Sequence, residues 1–142
     1  MLGFPTLIAL HSVGMAVVVG LSLMITLRLH GILTGIRPPQ IPRLLTVAVW
    51  GFVLNLVTGL AIFVTRGSEY IGSAIFLIKM LLVIASAAIL FWLRQRLKAE
   101  RPTAEMSVGD ALARGLSLAA TVSWFGAVVA GRLIAYLSDL YR

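Results

Sequence analysis

The sequence predicts an all-α protein: a four-helix transmembrane bundle of up-down topology, with both termini on the non-cytoplasmic side. Three observations predict it. The chain of 142 residues is 60% hydrophobic and only 12% charged, with a mean hydropathy of +1.02, more apolar surface than a soluble domain of this length can bury. Its apolar residues fall into four runs, each close to the roughly 20 residues that cross a bilayer core of about 30 Å. Basic residues gather at the ends of those runs, where they orient a membrane protein. One bundle uses the whole length, so 1–142 is expected to be a single four-span domain.

The first run covers 5–27. Pro5 suits a first helical turn, where a missing N–H costs nothing, and Arg28 and His30 close the run. The opening MLGFPTLIALHSVG has no basic leader and too long an apolar stretch for a signal peptide, so it is expected to be a retained span. The second run, 44–65, is entered through Pro38, Pro39 and Pro42 and ends at Arg66 and Gly67. The third, 72–93, is expected to continue as a polar helix through Arg94, Arg96 and Lys98 until Pro102. The fourth covers 112–137, and Ser107 followed three residues later by Asp110 resembles a capping box that would start it. The segment 99–110 between them mixes charge, Pro and Ser and is expected to be a cytoplasmic loop. Neither β-barrel alternation nor soluble-helix amphipathicity competes with this division.

Charge supplies the orientation. Arg28, Arg37 and Arg43 follow the first run, and Arg94, Arg96, Lys98, Arg101 and Arg114 surround the connection after the third. Arg66 and Arg142 fall on the other side. The positive-inside rule then puts the basic connections in the cytoplasm, and in a bacterium the termini face the periplasm across the inner membrane. The net charge of +7 therefore reports topology rather than nucleic-acid binding. The chain has no cysteine, which excludes disulfides, thiolate metal sites, Fe–S clusters and thiol catalysis.

Against this apolar background, three ionisable side chains fall inside spans. His11 lies about 9 Å in from Pro5, Lys79 about 10 Å in from Gly72, and Arg132 about 8 Å before Leu137, at helical rise. With alternating spans all three share one depth near the non-cytoplasmic face. Thr58 reaches the same layer and Asn55 lies one turn deeper. Ionisable groups are costly in hydrocarbon and mark functional sites by default. No Asp or Glu falls in the four runs, so two cations there need an anion from outside the chain or must snorkel to the interface. A haem propionate, a lipid phosphate or a quinone oxygen would serve. The His11 imidazole is a metal-ligand or proton-handling candidate. His30, nineteen residues on, is about 28 Å away along a helix, cannot share an iron with His11, and belongs at the cytoplasmic interface.

Small residues recur at four-residue steps: Gly51, Asn55 and Gly59 in the second run, and Ala119, Ser123, Ala127 and Gly131 in the fourth. Such stripes let membrane helices approach closely, and the same gap would admit a flat ligand. Trp92 and Tyr70 suit aromatic belts, whereas Trp50 and Trp124 are expected in the core. No phosphate loop, zinc-protease helix, Ser-His-acid set or acidic pair is present, and a proton or cation carrier of the acidic type is not indicated.

The stretches LHSVGMAVVVGLSLMITLRLHG and FLIKMLLVIASAAILFW resemble a family of small four-helix bacterial inner-membrane proteins and, more distantly, the HemJ-type protoporphyrinogen oxidases and the membrane part of CopD-type copper-resistance proteins. The shared features correspond to His11, Gly20, Arg28 with Leu29, and Lys79. HemJ-type chains carry a Trp and a Leu-Pro-Arg-Leu segment where this one has MITLRLHG, and CopD-type chains carry more metal ligands. The resemblance implies that His11 ligates haem and Lys79 assists.

Together these observations give two expectations. In the first, a b-type haem (or a quinone) binds near the periplasmic face for electron transfer or porphyrin oxidation. His11 is then the iron ligand, Lys79 and Arg132 hold its anionic groups, Asn55 and Thr58 line the layer, and Met15 or Met80 is a weak sixth ligand. In the second, the chain is a cofactor-free accessory or scaffold subunit that packs on a larger membrane complex or on copies of itself, with lipid headgroups at the polar layer.

Overall fold

A computed structural model of the chain describes residues 3–66, 72–99 and 111–140. They form four long helices: α1 (Gly3–Leu29), α2 (Ile41–Arg66), α3 (Ala74–Ala99) and α4 (Ala111–Leu140). Each is long and apolar enough to cross a membrane, and the chain is a multi-pass membrane protein with a four-helix bundle. The proposed Ser107–Asp110 cap, Tyr70 and the 100–110 connection lie outside the described residues.

The helix boundaries follow from local chemistry. Pro5 sits in the first turn of α1, where its missing N–H is harmless. The helix ends in a Schellman turn. Gly31 takes φ of 77°, its N–H bonds to Arg28 C=O at 3.0 Å, and Ile32 N–H bonds to Leu27 C=O at 2.9 Å. This left-handed position favours glycine because a Cβ there would crowd the backbone. A 3₁₀ turn, Pro38–Gln40, leads into α2, held by Gln40 N–H to Arg37 C=O and by Arg37 N–H to Gln40 Oε1. The second helix starts at Ile41 rather than at residue 44 because Pro42 fits a first turn. The third starts at Ala74 rather than 72. The Ser73 carbonyl accepts from the N–H groups of Phe76 and Leu77, so helical bonding begins there.

Helix α1 packs on α2 and α4, and α3 packs on α2 and α4. Contact registers run in opposite senses along neighbours. Gly14 meets Asn55 while Val17 meets Gly51, and Lys79 meets Gly131 while Leu82 meets Gly126. Gly14 decides the first of these approaches. A Cβ there would lie 2.8 Å from Asn55 N and 3.0 Å from Gly51 O, both backbone atoms that cannot step aside. On α4 the buried small stripe is Ala113, Ser117, Ala120, Thr121 and Ala127. Ala119, expected in that stripe, is exposed, because the face turned to α1 and α3 lies one position round the helix from it.

The two ends of the bundle differ in chemistry. At the end carrying the basic connections, Ile25, Leu29, Ile36, Ile41, Leu45, Leu90 and Leu93 form the apolar core. The buried Arg28 guanidinium donates from Nε to Ile36 C=O, tying the 31–40 segment over it. Hydroxyls join helices. Thr26 donates to Ser117 C=O at 2.9 Å and accepts from Thr121 at 2.8 Å, and Ser86 donates to Ala120 C=O at 3.4 Å. Such interhelical bonds contribute about 0.6 kcal/mol each in membranes. Trp124 is fully buried, as expected, but Trp50 is 69% exposed on the outer surface of α2 and lines no gap between helices. Trp92 lies at the basic end with the Arg96 guanidinium 5.0 Å above its ring, which suits an interfacial belt.

Gly14→Ala should drive α1 from α2 and cost about 1–3 kcal/mol, seen as a lower thermal midpoint in detergent. Gly20→Ala, whose Cβ meets nothing within 4 Å, should leave the midpoint unchanged or raise it. Equal effects of the two would remove close backbone approach as the cause.

Candidate functional site

The polar layer expected from sequence assembles around His11. Its Nδ1 lies 3.0 Å from the backbone carbonyl of Asn55 and 3.2 Å from Thr58 Oγ1. A carbonyl oxygen only accepts, so Nδ1 carries the proton and donates. In the neutral ring the lone pair then sits on Nε2, as in metal-ligating histidines whose other nitrogen is tied to a carbonyl. Thr58 donates to Leu54 C=O at 2.7 Å, which leaves its oxygen lone pairs toward the imidazole.

Glycine makes this contact possible. A Cβ on Gly59 would stand 3.1 Å from His11 Cε1 and 3.4 Å from Nδ1. The imidazole of α1 therefore lies against bare α2 backbone and reaches a carbonyl that a side chain would cover. Lys79 has a matching slot on the other helix pair. A Cβ on Gly131 would lie 3.3 Å from Nζ and 3.6 Å from Cε, so the half-buried lysine stretches along α4.

Of the residues singled out from sequence, the structure brings His11, Asn55 and Thr58 together and seats Lys79 against Gly131 on α4. Arg132 is placed otherwise. It follows Gly131, but one residue turns it about 100° round the helix, and its side chain is exposed. It can meet lipid headgroups or an anion only from outside the bundle. Met15 and Met80 are half-buried. Met15 lies one turn along from His11, and Met80 is rotated off the lysine face. His30 is exposed and donates from Nδ1 to Thr26 C=O at 2.8 Å, closing the basic end of α1. Among the described residues no group of three or more His, Cys, Asp or Glu gathers into a metal cage, so a metal at this layer would rest on His11 and an exogenous ligand set.

From sequence, Gly59 and Gly131 belong to small stripes that allow close packing or a flat ligand; in the structure they are the slots that seat the two ionisable side chains. Each stands in a four-residue small stripe, which is the signal that found them. Nor does the sequence mark three further atoms: Asn55 Oδ1, Arg94 Nε and Trp124 Nε1 are buried with no hydrogen-bond partner.

No protein-family model, curated protein or solved structure matches the chain. The geometry of the site is therefore what bears on function.

Gly59→Ala should displace the imidazole and break its bond to Asn55 C=O. In ¹⁵N spectra of histidine-labelled protein, His11 of the natural sequence should show a protonated Nδ1, and Gly59→Ala should give a mixture of tautomers. An unchanged spectrum would mean that the glycine slot does not hold the ring.

Proposed function

We propose that this protein is a redox protein of the bacterial inner membrane that holds b-type haem at its outer polar layer. In this reading it passes electrons between a quinone and a partner or carries out a porphyrin oxidation. The observation that carries the reading is the His11 ring. Its Nδ1–H is spent on a helix carbonyl, which orients the imidazole and leaves Nε2 as a ligand. The donor set suits haem: one fixed imidazole, a half-buried ammonium on Lys79 for a propionate, and no carboxylate in the spans to compete for it. Arg132, exposed at the same level, would receive a second anionic group from the interface. Haem, when bound, supplies the one-electron chemistry, and the protein sets access and potential. The resemblance of the His11 and Lys79 segments to HemJ-type chains points the same way.

The bundle in this proposal is up-down, with both termini periplasmic. The opposed contact registers of α1 with α2 and of α3 with α4 support the alternation, and the basic excess after the first and third helices supports the sides. Because the chain has no native cysteine, single-cysteine probes test this directly. Gly72→Cys should react with an impermeant maleimide in intact cells, and Gly35→Cys only after permeabilisation. The reverse pattern would invert the topology.

Haem is tested by a reduced-minus-oxidised visible spectrum of purified protein. Soret, α and β bands are expected, abolished by His11→Ala with membrane insertion intact. Lys79→Met should lower occupancy or shift the midpoint potential, since one counter-charge is lost. Retention of haem by His11→Ala would remove that ligand. A sample colourless even after haem supplementation would instead favour a cofactor-free subunit of a larger complex, a reading that draws on the exposed aromatic surface at Trp50.

A further inference from the structure

Three threonines of α2 turn their hydroxyls back to their own helix. Thr46 donates to Pro42 C=O at 2.9 Å, Thr65 to Ile62 C=O at 2.7 Å, and Thr58 to Leu54 C=O at 2.7 Å. Bonds of this kind are ordinary in helices and by themselves are structural. Thr58 differs in its burial and in what faces its oxygen. Thr46 is half-buried and Thr65 is exposed, whereas Thr58 is only 4% exposed. Across the helix contact, His11 Nδ1 of α1 lies 3.2 Å from Thr58 Oγ1.

The acceptors decide where the hydrogens sit. Nδ1 carries a proton, because the Asn55 carbonyl 3.0 Å away only accepts. The Thr58 hydroxyl has one hydrogen. Its nearer acceptor is the Leu54 carbonyl at 2.7 Å, with the Asn55 carbonyl at 3.2 Å. The hydroxyl lone pairs therefore face the imidazole. A directed chain results: His11 Nδ1–H to Thr58 Oγ1, and Thr58 O–H to Leu54 C=O. A hydroxyl that donates is a better acceptor, so each bond strengthens the other. The Nδ1–H is shared between two oxygens, one from the backbone and one from a side chain. With a single acceptor the ring could rock, since the histidine χ2 torsion is broad. The second acceptor narrows that freedom.

We infer that Thr58 is a positioning residue for His11: its hydroxyl sets the orientation of the imidazole and makes Nε2 a stronger electron donor. A hydrogen bond at the far nitrogen fixes a ligating histidine and strengthens it as a ligand. Thr58 supplies that bond beyond what the Asn55 carbonyl gives, and its own bond to Leu54 reinforces it. The consequence for a redox potential rests on the haem reading. The hold on the ring does not, because it involves only groups of this chain.

The test compares Thr58→Val with Thr58→Ser in the detergent-purified full chain. Valine keeps the branched shape and removes the hydroxyl, and serine restores the hydroxyl. The first readout is the ¹H–¹⁵N spectrum of histidine-labelled protein without added haem, with His30→Gln used to assign His11. The natural protein should show one His11 Nδ1–H signal in slow exchange with water. Thr58→Val should move that proton upfield, speed its exchange and admit a second tautomer. Thr58→Ser should restore the natural signal. Thr46→Val, on the same helix, should leave it in place, which separates a local effect from a general loosening of α2. An unshifted His30 signal shows that each variant folds. The second readout is the midpoint potential after haem loading. Thr58→Val should shift it positive, because a weaker donor favours ferric iron less. If no haem binds, the haem reading fails and the spectrum still decides the role of Thr58. A His11 signal unchanged in Thr58→Val, or not restored by Thr58→Ser, would overturn the inference. An unchanged potential in haem-loaded Thr58→Val would overturn its claim on Nε2.

Discussion

The contact of α1 with bare backbone on α2 is the constraint on which the rest of the polar site depends. Inside a bilayer an imidazole must find its partner within the protein. The nearest acceptor is a carbonyl of the neighbouring helix, ordinarily shielded by side chains. Gly14 brings the helix axes together, and Gly59 uncovers the Asn55 carbonyl for His11 Nδ1. Removal of either hydrogen-for-methyl economy separates the ring from its anchor. The ring's outward nitrogen, and with it any ligand chemistry, is a consequence of that packing.

The bundle divides its tasks along the membrane normal. The end with the basic connections is an apolar core of Ile, Leu and Ala, sealed by the Gly31 turn and by Arg28 bonded back to Ile36. The other end trades that apolar packing for an imidazole, an ammonium and an amide. Thr26, bonded to Ser117 C=O and to Thr121, and Ser86, bonded to Ala120 C=O, tie α4 to α1 and α3. A membrane bundle has no hydrophobic force between its helices, so glycine contacts and these bonds carry the cohesion that a soluble core would take from apolar burial.

The polar layer is also specific in what it omits. The four apolar runs contain no carboxylate, and among the described contacts the Lys79 ammonium lies against the Gly131 position of α4. This favours ligands that bring negative charge or lone pairs with them. Arg132, in contrast, is left on the outer surface, where it serves the interface rather than the interior.

Hydropathy and charge by themselves determined the class, the number of helices and their approximate spans, because bilayer thickness dictates span length and unpaired backbone cannot face lipid. They also gave the expectation that His11, Lys79 and Thr58 share a depth with Asn55 one turn deeper, since rise per residue converts position into height. Rotation about each helix axis was not legible. Arg132 reads from sequence as part of the polar layer and Trp50 as a core residue, yet both are exposed. Ala119 lies in a stripe that reads as packed and is exposed. In helices apolar all round, no polar face marks which side looks inward. Only tertiary packing decided that, through glycine contacts whose partners lie on other helices. The same contacts decided the tautomer of His11, the slot of Lys79 and the two unpaired atoms of Asn55 and Trp124. Each is a relation between residues tens of positions apart, and local pattern contains no information about such relations.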